Sequence, residues 1–146
     1  MTVYKDAYHI STDKERLNIP YIHAFLSTSY WSENIPLETV QRSVNGALCF
    51  GVYEGDQQVG FARVITDQAT FAYLADVFID EAYRGRGLSK WLMETIMAHP
   101  GLQGLRRFML ATRDAHGLYA QFGFTALTFA DRWMNIHKPG LYKQAP

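Results

Sequence analysis

Between Leu48 and Ile79 the chain carries three strand-like runs with almost nothing between them, and that spacing constrains the fold more than any other feature. The runs are Leu48–Glu54 (LCFGVYE), Gln57–Thr66 (QQVGFARVIT) and Thr70–Ile79 (TFAYLADVFI). Gly55-Asp56 is a two-residue hairpin signal. A parallel pairing needs a crossover of about a dozen residues, and these gaps are far shorter, so the runs form an antiparallel meander. In the middle run, alternation sets Val59, Phe61 and Ile65 on one expected face.

The flanks add helices and further strands. Leu88–Ala98 has Leu88, Trp91, Leu92 and Ile96 at helical spacing, an apolar stripe suited to packing on a sheet. Arg106–Thr112 reads as a strand; if it shares the sheet with Thr70–Ile79 and runs parallel to it, the intervening helix is the crossover. Upstream, Ala7–Thr12 reads as a strand, Arg16–Ser29 as a helix, Tyr30–Pro36 as a loop and Leu37–Ala47 as a helix. Downstream, His116–Phe122 reads as a short helix stopped by Gly123, followed by strands at Gly123–Phe129 and Arg132–Lys138. The expected fold is α/β in the α+β sense: a mixed, mostly antiparallel sheet of about six to seven strands flanked by about four helices. No linker or repeat divides the chain, so one domain over residues 1–146 is expected.

Composition removes several partners. Lys plus Arg and Asp plus Glu both number 14, so no net field favours nucleic acid or an anionic membrane surface. The one cysteine, Cys49, excludes an intrachain disulfide and fits a reducing compartment. No stretch reads as a signal peptide or a membrane span, and a cytoplasmic location is expected. No His-Glu-x-x-His or other metal spacing occurs, and no Gly-x-Ser-x-Gly elbow. Cys49 reads as a buried apolar residue and His116 as a structural helix-start residue or a ligand contact.

Chemistry concentrates in Asp80–Leu92 (DEAYRGRGLSKWL). Arg84, Gly85, Arg86, Gly87, Leu88 and Ser89 put glycines, cations and a helix start at one spot. A helix N-terminus presents unsatisfied N–H groups and a positive dipole end, and glycines let a phosphate approach them. The segment lacks the Gly-Lys-Ser/Thr of a P-loop and the third glycine of a dinucleotide fingerprint. The segment reads as a pyrophosphate site on a different scaffold, with a plain loop-to-helix turn as the alternative.

The segment resembles the GNAT superfamily of N-acetyltransferases, whose signature is Gln/Arg-x-x-Gly-x-Gly/Ala. Arg84 and Gly87 match its first and fourth places, and Ser89 stands where the family has Gly or Ala. Leu74–Met93 and Ala115–Phe124 resemble the family's strand-into-loop segment and its later helix. The resemblance implies acetyl-CoA as co-substrate, no metal, and acetyl transfer to a primary amine by direct attack in a ternary complex. It implies that the pyrophosphate sits on Arg84–Ser89 and that the pantetheine arm pairs with Val77, Phe78 and Ile79. Tyr119 then protonates the coenzyme A sulfur, since a phenol holds its proton more tightly than a thiol. Thr112 stands where the family often has asparagine, with Arg113 and Asp114 as possible substitutes for its coenzyme contact.

Asp76 has two open readings. Its carboxylate in the apolar run YLADVFI is either the base for the amine or a structural partner of Arg63. On the acceptor side, Tyr30, Trp31 and Glu33 offer an aromatic wall and a carboxylate, with Arg63 nearby in the sheet. The acceptor is a small-molecule or protein amine, and the chain a monomer or a homodimer. The rival readings are a non-catalytic acyl-CoA-binding sensor or interaction module on the same fold, and a nucleotide-phosphate binder using the Gly85–Gly87 turn.

Overall fold

The meander forms where the alternation requires it. In the computed structural model, which describes residues 1–144, β3 (Leu48–Glu54), β4 (Gln57–Thr66) and β5 (Phe71–Ile79) pair antiparallel in sequence order. Two further strands, β1 (Thr2–Lys5) and β2 (Tyr8–Ser11), extend the sheet beyond β3, and β6 (Arg107–Leu110) closes the other side. The six strands lie in the order β1-β2-β3-β4-β5-β6, and only the β5–β6 pair is parallel. The crossover joining that pair is the helix α3 (Leu88–Ala98). The helices α1 (Ile19–Leu26), α2 (Leu37–Asn45) and α4 (His116–Ala120) complete the fold.

Two apolar layers cover the sheet. On one face, α3 buries Leu92, Met93 and Ile96 completely against Val52, Val64, Ala72 and Leu74. Each such side chain contributes about 2 kcal/mol of burial. On the other face, α1 and α2 pack Ile22, Leu26, Val40 and Val44 on Cys49, Phe61 and Phe78. No helix among the described residues is long and apolar enough to cross a membrane.

Four expectations need correction. β1 is a strand that the residues did not announce: it joins β2 through Asp6-Ala7, with Asp6 at φ 54, and lacks an Asn-Gly or Asp-Gly turn signature. Residues Gly123–Phe129 and Arg132–Lys138 are not strands. Phe129 has φ 56, a left-handed turn that an extended ladder cannot pass through, and Met134 and Ile136 are 97% and 93% exposed. Finally, Val59 and Phe61 face opposite layers. The register shifts between Val52 and Tyr53, so Val59 is an extra residue on β4 and turns toward α3 with Ala62 and Val64, while Phe61 faces α1. Ile65 lies beyond the reach of α1 and α2 and is 42% exposed.

A second register shift shapes the site. Phe61 pairs with Phe78 and Arg63 with Ala75, so Asp76 and Val77 together stand opposite Ala62. The β5–β6 ladder runs only from Phe71–Arg107 to Leu74–Leu110. Past Leu74, β5 has no strand on that side, and the sheet opens into a cleft along Ala75–Ile79.

Candidate active site

The bulge in β5 rests on Asp76. Its φ is 55, a backbone region that Asp tolerates better than most residues. Its carboxylate is held at both oxygens: Arg63 Nε donates to Oδ2 at 2.8 Å and Trp31 Nε1 donates to Oδ1 at 2.8 Å. The Arg63 and Asp76 side chains are only 16% and 7% exposed. The partnership of Asp76 with Arg63 is therefore real, and Trp31 is its third member. The cluster ties the acceptor loop to the point where the sheet splays.

The open edge of β5 has a defined polarity. The Asp80 N–H donates to Val59 O at 2.8 Å, so Phe78 and Asp80 point their main-chain groups toward β4. Ile79 then turns its own toward the cleft, and its carbonyl accepts from Arg84 Nε at 3.1 Å. Phe78 is fixed from behind by Phe25, stacked at 3.8 Å with an 8° interplanar angle.

The glycine turn follows directly. Asp80 Oδ1 accepts the Ala82 N–H at 3.0 Å and caps the short turn at Glu81–Tyr83, while Tyr21 Oη donates to Asp80 Oδ2 at 3.1 Å. Gly85 has φ 80 and Gly87 has φ 77, both in the left-handed region that glycine alone enters without strain. A Cβ at either position would meet nothing within 4 Å, so the turn is bare toward solvent. Gly87 precedes α3 and no side chain caps the helix. The first amide bonded back along α3 is that of Trp91, to Gly87 O at 3.1 Å. The N–H groups of Leu88, Ser89 and Lys90 are thus the uncapped donors of the first turn. Arg86 is anchored beside them: Nη1 donates to Tyr8 Oη at 2.7 Å, and its guanidinium lies 4.9 Å over the Tyr83 ring.

Tyr119 stands on α4, beyond the end of β6. It is 9% exposed, and burial pushes its phenol above the ordinary value, with the nearby Tyr30 phenol adding to the shift. The phenol stays protonated throughout the neutral range. Thr112 Oγ1 accepts the Ala115 N–H at 3.0 Å, so its first role is to shape the entry to α4. A cavity of about 800 Å³ lies along the outer edge of β6 and has Thr112, His116 and Tyr119 in its wall. It contains neither Gly87 nor Asp76. The groove linking those two residues is instead the open splay of the sheet.

The acceptor loop is only partly as the sequence suggested. Tyr30 and Trp31 form an edge-to-face pair at 5.0 Å and are 53% and 42% exposed, so Trp31 is a wall and not a core plug. Glu33 points elsewhere, to Lys143 Nζ at 3.1 Å. Arg113 stacks its guanidinium 4.0 Å from the Tyr30 ring centre. Lys143 and Tyr21 carried no signal in the sequence, because their partners Glu33 and Asp80 lie far along the chain. Cys49 is buried in the α1–α2 layer with its thiol pushed up to about 11, which removes it as a nucleophile. Among the described residues no group of three His, Cys, Asp or Glu side chains gathers as a metal site would need.

A sheet splayed beside a bulge, with a glycine turn feeding an uncapped helix at its mouth, defines a class of fold with an anion-ready helix start beside an open strand edge. Comparison with known proteins makes the class specific. The model of the acetyltransferase (GNAT) domain matches residues 45–126, and the chain belongs to that family. The crystal structure of a candidate GNAT acetyltransferase from Xanthomonas campestris pv. campestris is 56% identical, with a TM-score of 0.91 over 92% of this chain and 96% of that one. FG08082 of Gibberella zeae, a candidate acetyltransferase, is 32% identical over 137 residues, 78% of this chain and 76% of that protein. An acetyltransferase from Clostridium acetobutylicum, crystallised with acetyl-CoA, shares the fold at 13% identity, with a TM-score of 0.66 over 94% of this chain and 96% of that one.

Proposed function

We propose that the chain is an acetyl-CoA-dependent N-acetyltransferase whose acceptor is a primary amine. The observation that carries the reading is the continuity of the open β5 edge with the bare, left-handed turn at Gly85–Gly87 and the uncapped start of α3. A diphosphate fits the N–H groups of Leu88, Ser89 and Lys90, where the helix dipole also favours negative charge. An amide-bearing arm fits the free edge at Val77–Ile79 as an added strand. ATP and NAD match the first feature and not the second. The Clostridium acetobutylicum protein, which has the same fold and was crystallised with acetyl-CoA, supports acetyl-CoA as the ligand.

Acetyl-CoA supplies the activated acyl group; the protein supplies position, donors and protons. The Ile79 N–H, turned into the cleft, is placed to donate to the thioester oxygen as negative charge develops there. Attack by the amine nitrogen forms the C–N bond and breaks the C–S bond, and the departing sulfur takes the Tyr119 proton. The nitrogen loses its own proton to water. Asp76 holds the bulge and Trp31 in place, because both of its oxygens already accept hydrogen bonds from Arg63 and Trp31. That same observation favours the second reading, a non-catalytic acyl-CoA-binding module, since the carboxylate at the bulge is not left free as a base.

Thiol release from acetyl-CoA across an amine panel, with product detected as an acetyl mass shift, separates the two. Release that depends on the amine and collapses in Tyr119→Phe supports the transferase. Tight coenzyme binding with no amine-dependent release from any acceptor overturns it and leaves the binding module.

A further inference from the structure

Two carboxylates on the acceptor side of the cleft are already engaged by groups of the chain itself. Asp76 is bonded to Arg63 and Trp31, and Glu33 is paired with Lys143 at 3.1 Å. Arg113 is the cation left outside any ion pair. Its guanidinium makes no ion pair and no hydrogen bond among the described residues, and Asp114 next to it is not its partner. Stacking on Tyr30 holds the plane still and leaves the N–H edge free, which is the arrangement suited to a carboxylate or phosphate.

The position is as informative as the charge. Arg113 follows β6, on one arm of the splay; Asp76 sits on the other arm, at the bulge. Tyr30 and Trp31 bridge the two, with Arg113 over the first ring and Asp76 accepting from the second. An anion held by Arg113 would therefore lie against the aromatic wall that spans the splay.

The geometry points to an acceptor that carries its own anion: an amine with a carboxylate or phosphate close to the nucleophilic nitrogen, clamped at that anion by Arg113. This inference rests on the acetyltransferase reading and narrows its acceptor. It excludes bare polyamines and lysine side chains of basic peptide tails, which would meet a cation where they need an acid.

Matched acceptors test it. Serine against ethanolamine, phenylalanine against phenethylamine and histidine against histamine differ only by the carboxylate, and phosphoethanolamine against ethanolamine isolates the phosphate. Wild-type enzyme is expected to prefer the anion-bearing member of a pair by about tenfold or more in kcat/KM. Arg113→Gln is expected to erase that preference through KM, bringing the ratio of kcat/KM within each pair close to one. Equal or better use of the bare amines, or an Arg113→Gln preference identical to wild type, overturns the proposal. Calorimetric titration of the same compounds into enzyme saturated with coenzyme A reads the clamp without turnover. Anion-selective binding that Arg113→Gln abolishes, without product from any amine, refutes the transferase reading and keeps the clamp. No anion-selective binding refutes the clamp whatever the turnover.

Discussion

Gly87→Ala isolates the phosphate cradle from ordinary backbone strain. At φ 77 an alanine must occupy the left-handed region, and its Cβ meets no protein atom within 4 Å. The folded state therefore loses only the conformational term, about 1 kcal/mol, or about 3 °C in Tm for a chain of this size. Gly55 provides the matched control: φ is 59, its Cβ also meets nothing within 4 Å, and it lies in the β3–β4 hairpin outside the cleft. Gly55→Ala should lower Tm by the same few degrees. The two variants part in coenzyme binding. At Gly87 the new methyl stands in the space a diphosphate must enter, so affinity for coenzyme A should fall at least tenfold, about 1.4 kcal/mol. Calorimetric titration with coenzyme A and a thermal melt of each variant suffice. Equal affinities in the two variants, at equal loss of Tm, would refute the phosphate assignment. Gly87→Glu adds bulk and like charge at the same spot and should abolish binding.

Tyr119→Phe should lower kcat by at least an order of magnitude and leave coenzyme affinity within about twofold; an unchanged rate from pH 6 to 10 removes the phenol from the mechanism. Asp76→Ala breaks a buried pair and strands Arg63, which should cost about 3 kcal/mol in a urea titration. Asp76→Asn, which keeps the left-handed turn and the Trp31 bond, should cost clearly less, and equal losses would mean that the lost charge is the whole effect and that the turn and the Trp31 bond contribute nothing. Stability should also fall in alkali. Burial pushes Cys49 from 9.0 up to about 11 and Tyr53 from 10.0 up to about 12, so the unfolded chain releases these protons first. Both groups raise stability below their unfolded values and lose that contribution as pH climbs from 9 to 12, by about 2 to 3 kcal/mol each. Urea midpoints that stay level between pH 8 and 11 would contradict this.

What could be read from the residues follows physical range. β3, β4 and α3 lie where the alternation and the apolar stripe put them, because periods of two and of helical repeat are local. The glycine turn was legible for the same reason: two left-handed glycines and a helix start sit within four residues. The partnership of Arg63 with Asp76 could be anticipated from two charges in facing apolar runs. Its third member could not, since Trp31 lies 45 residues from Asp76. Lys143 reaching Glu33 and Arg113 stacking on Tyr30 are likewise products of tertiary folding, and no spacing encodes them. The bulge at Val59 shows the opposite hazard, a clean alternation overruled by one inserted residue.

The ladder between β5 and β6 spans four residues on each strand, and among the described residues it is the only strand pairing that ties the chain beyond Leu105 to the rest of the sheet. Such a short parallel seam is the natural place for partial opening, ahead of the long antiparallel strands. A ligand lying along the seam's open end acts as a rivet, strengthening the joint by about 2.7 kcal/mol when present at a hundred times its dissociation constant. Amide exchange in Phe108–Leu110 should therefore slow sharply on addition of coenzyme A, while Phe50–Val52 barely responds.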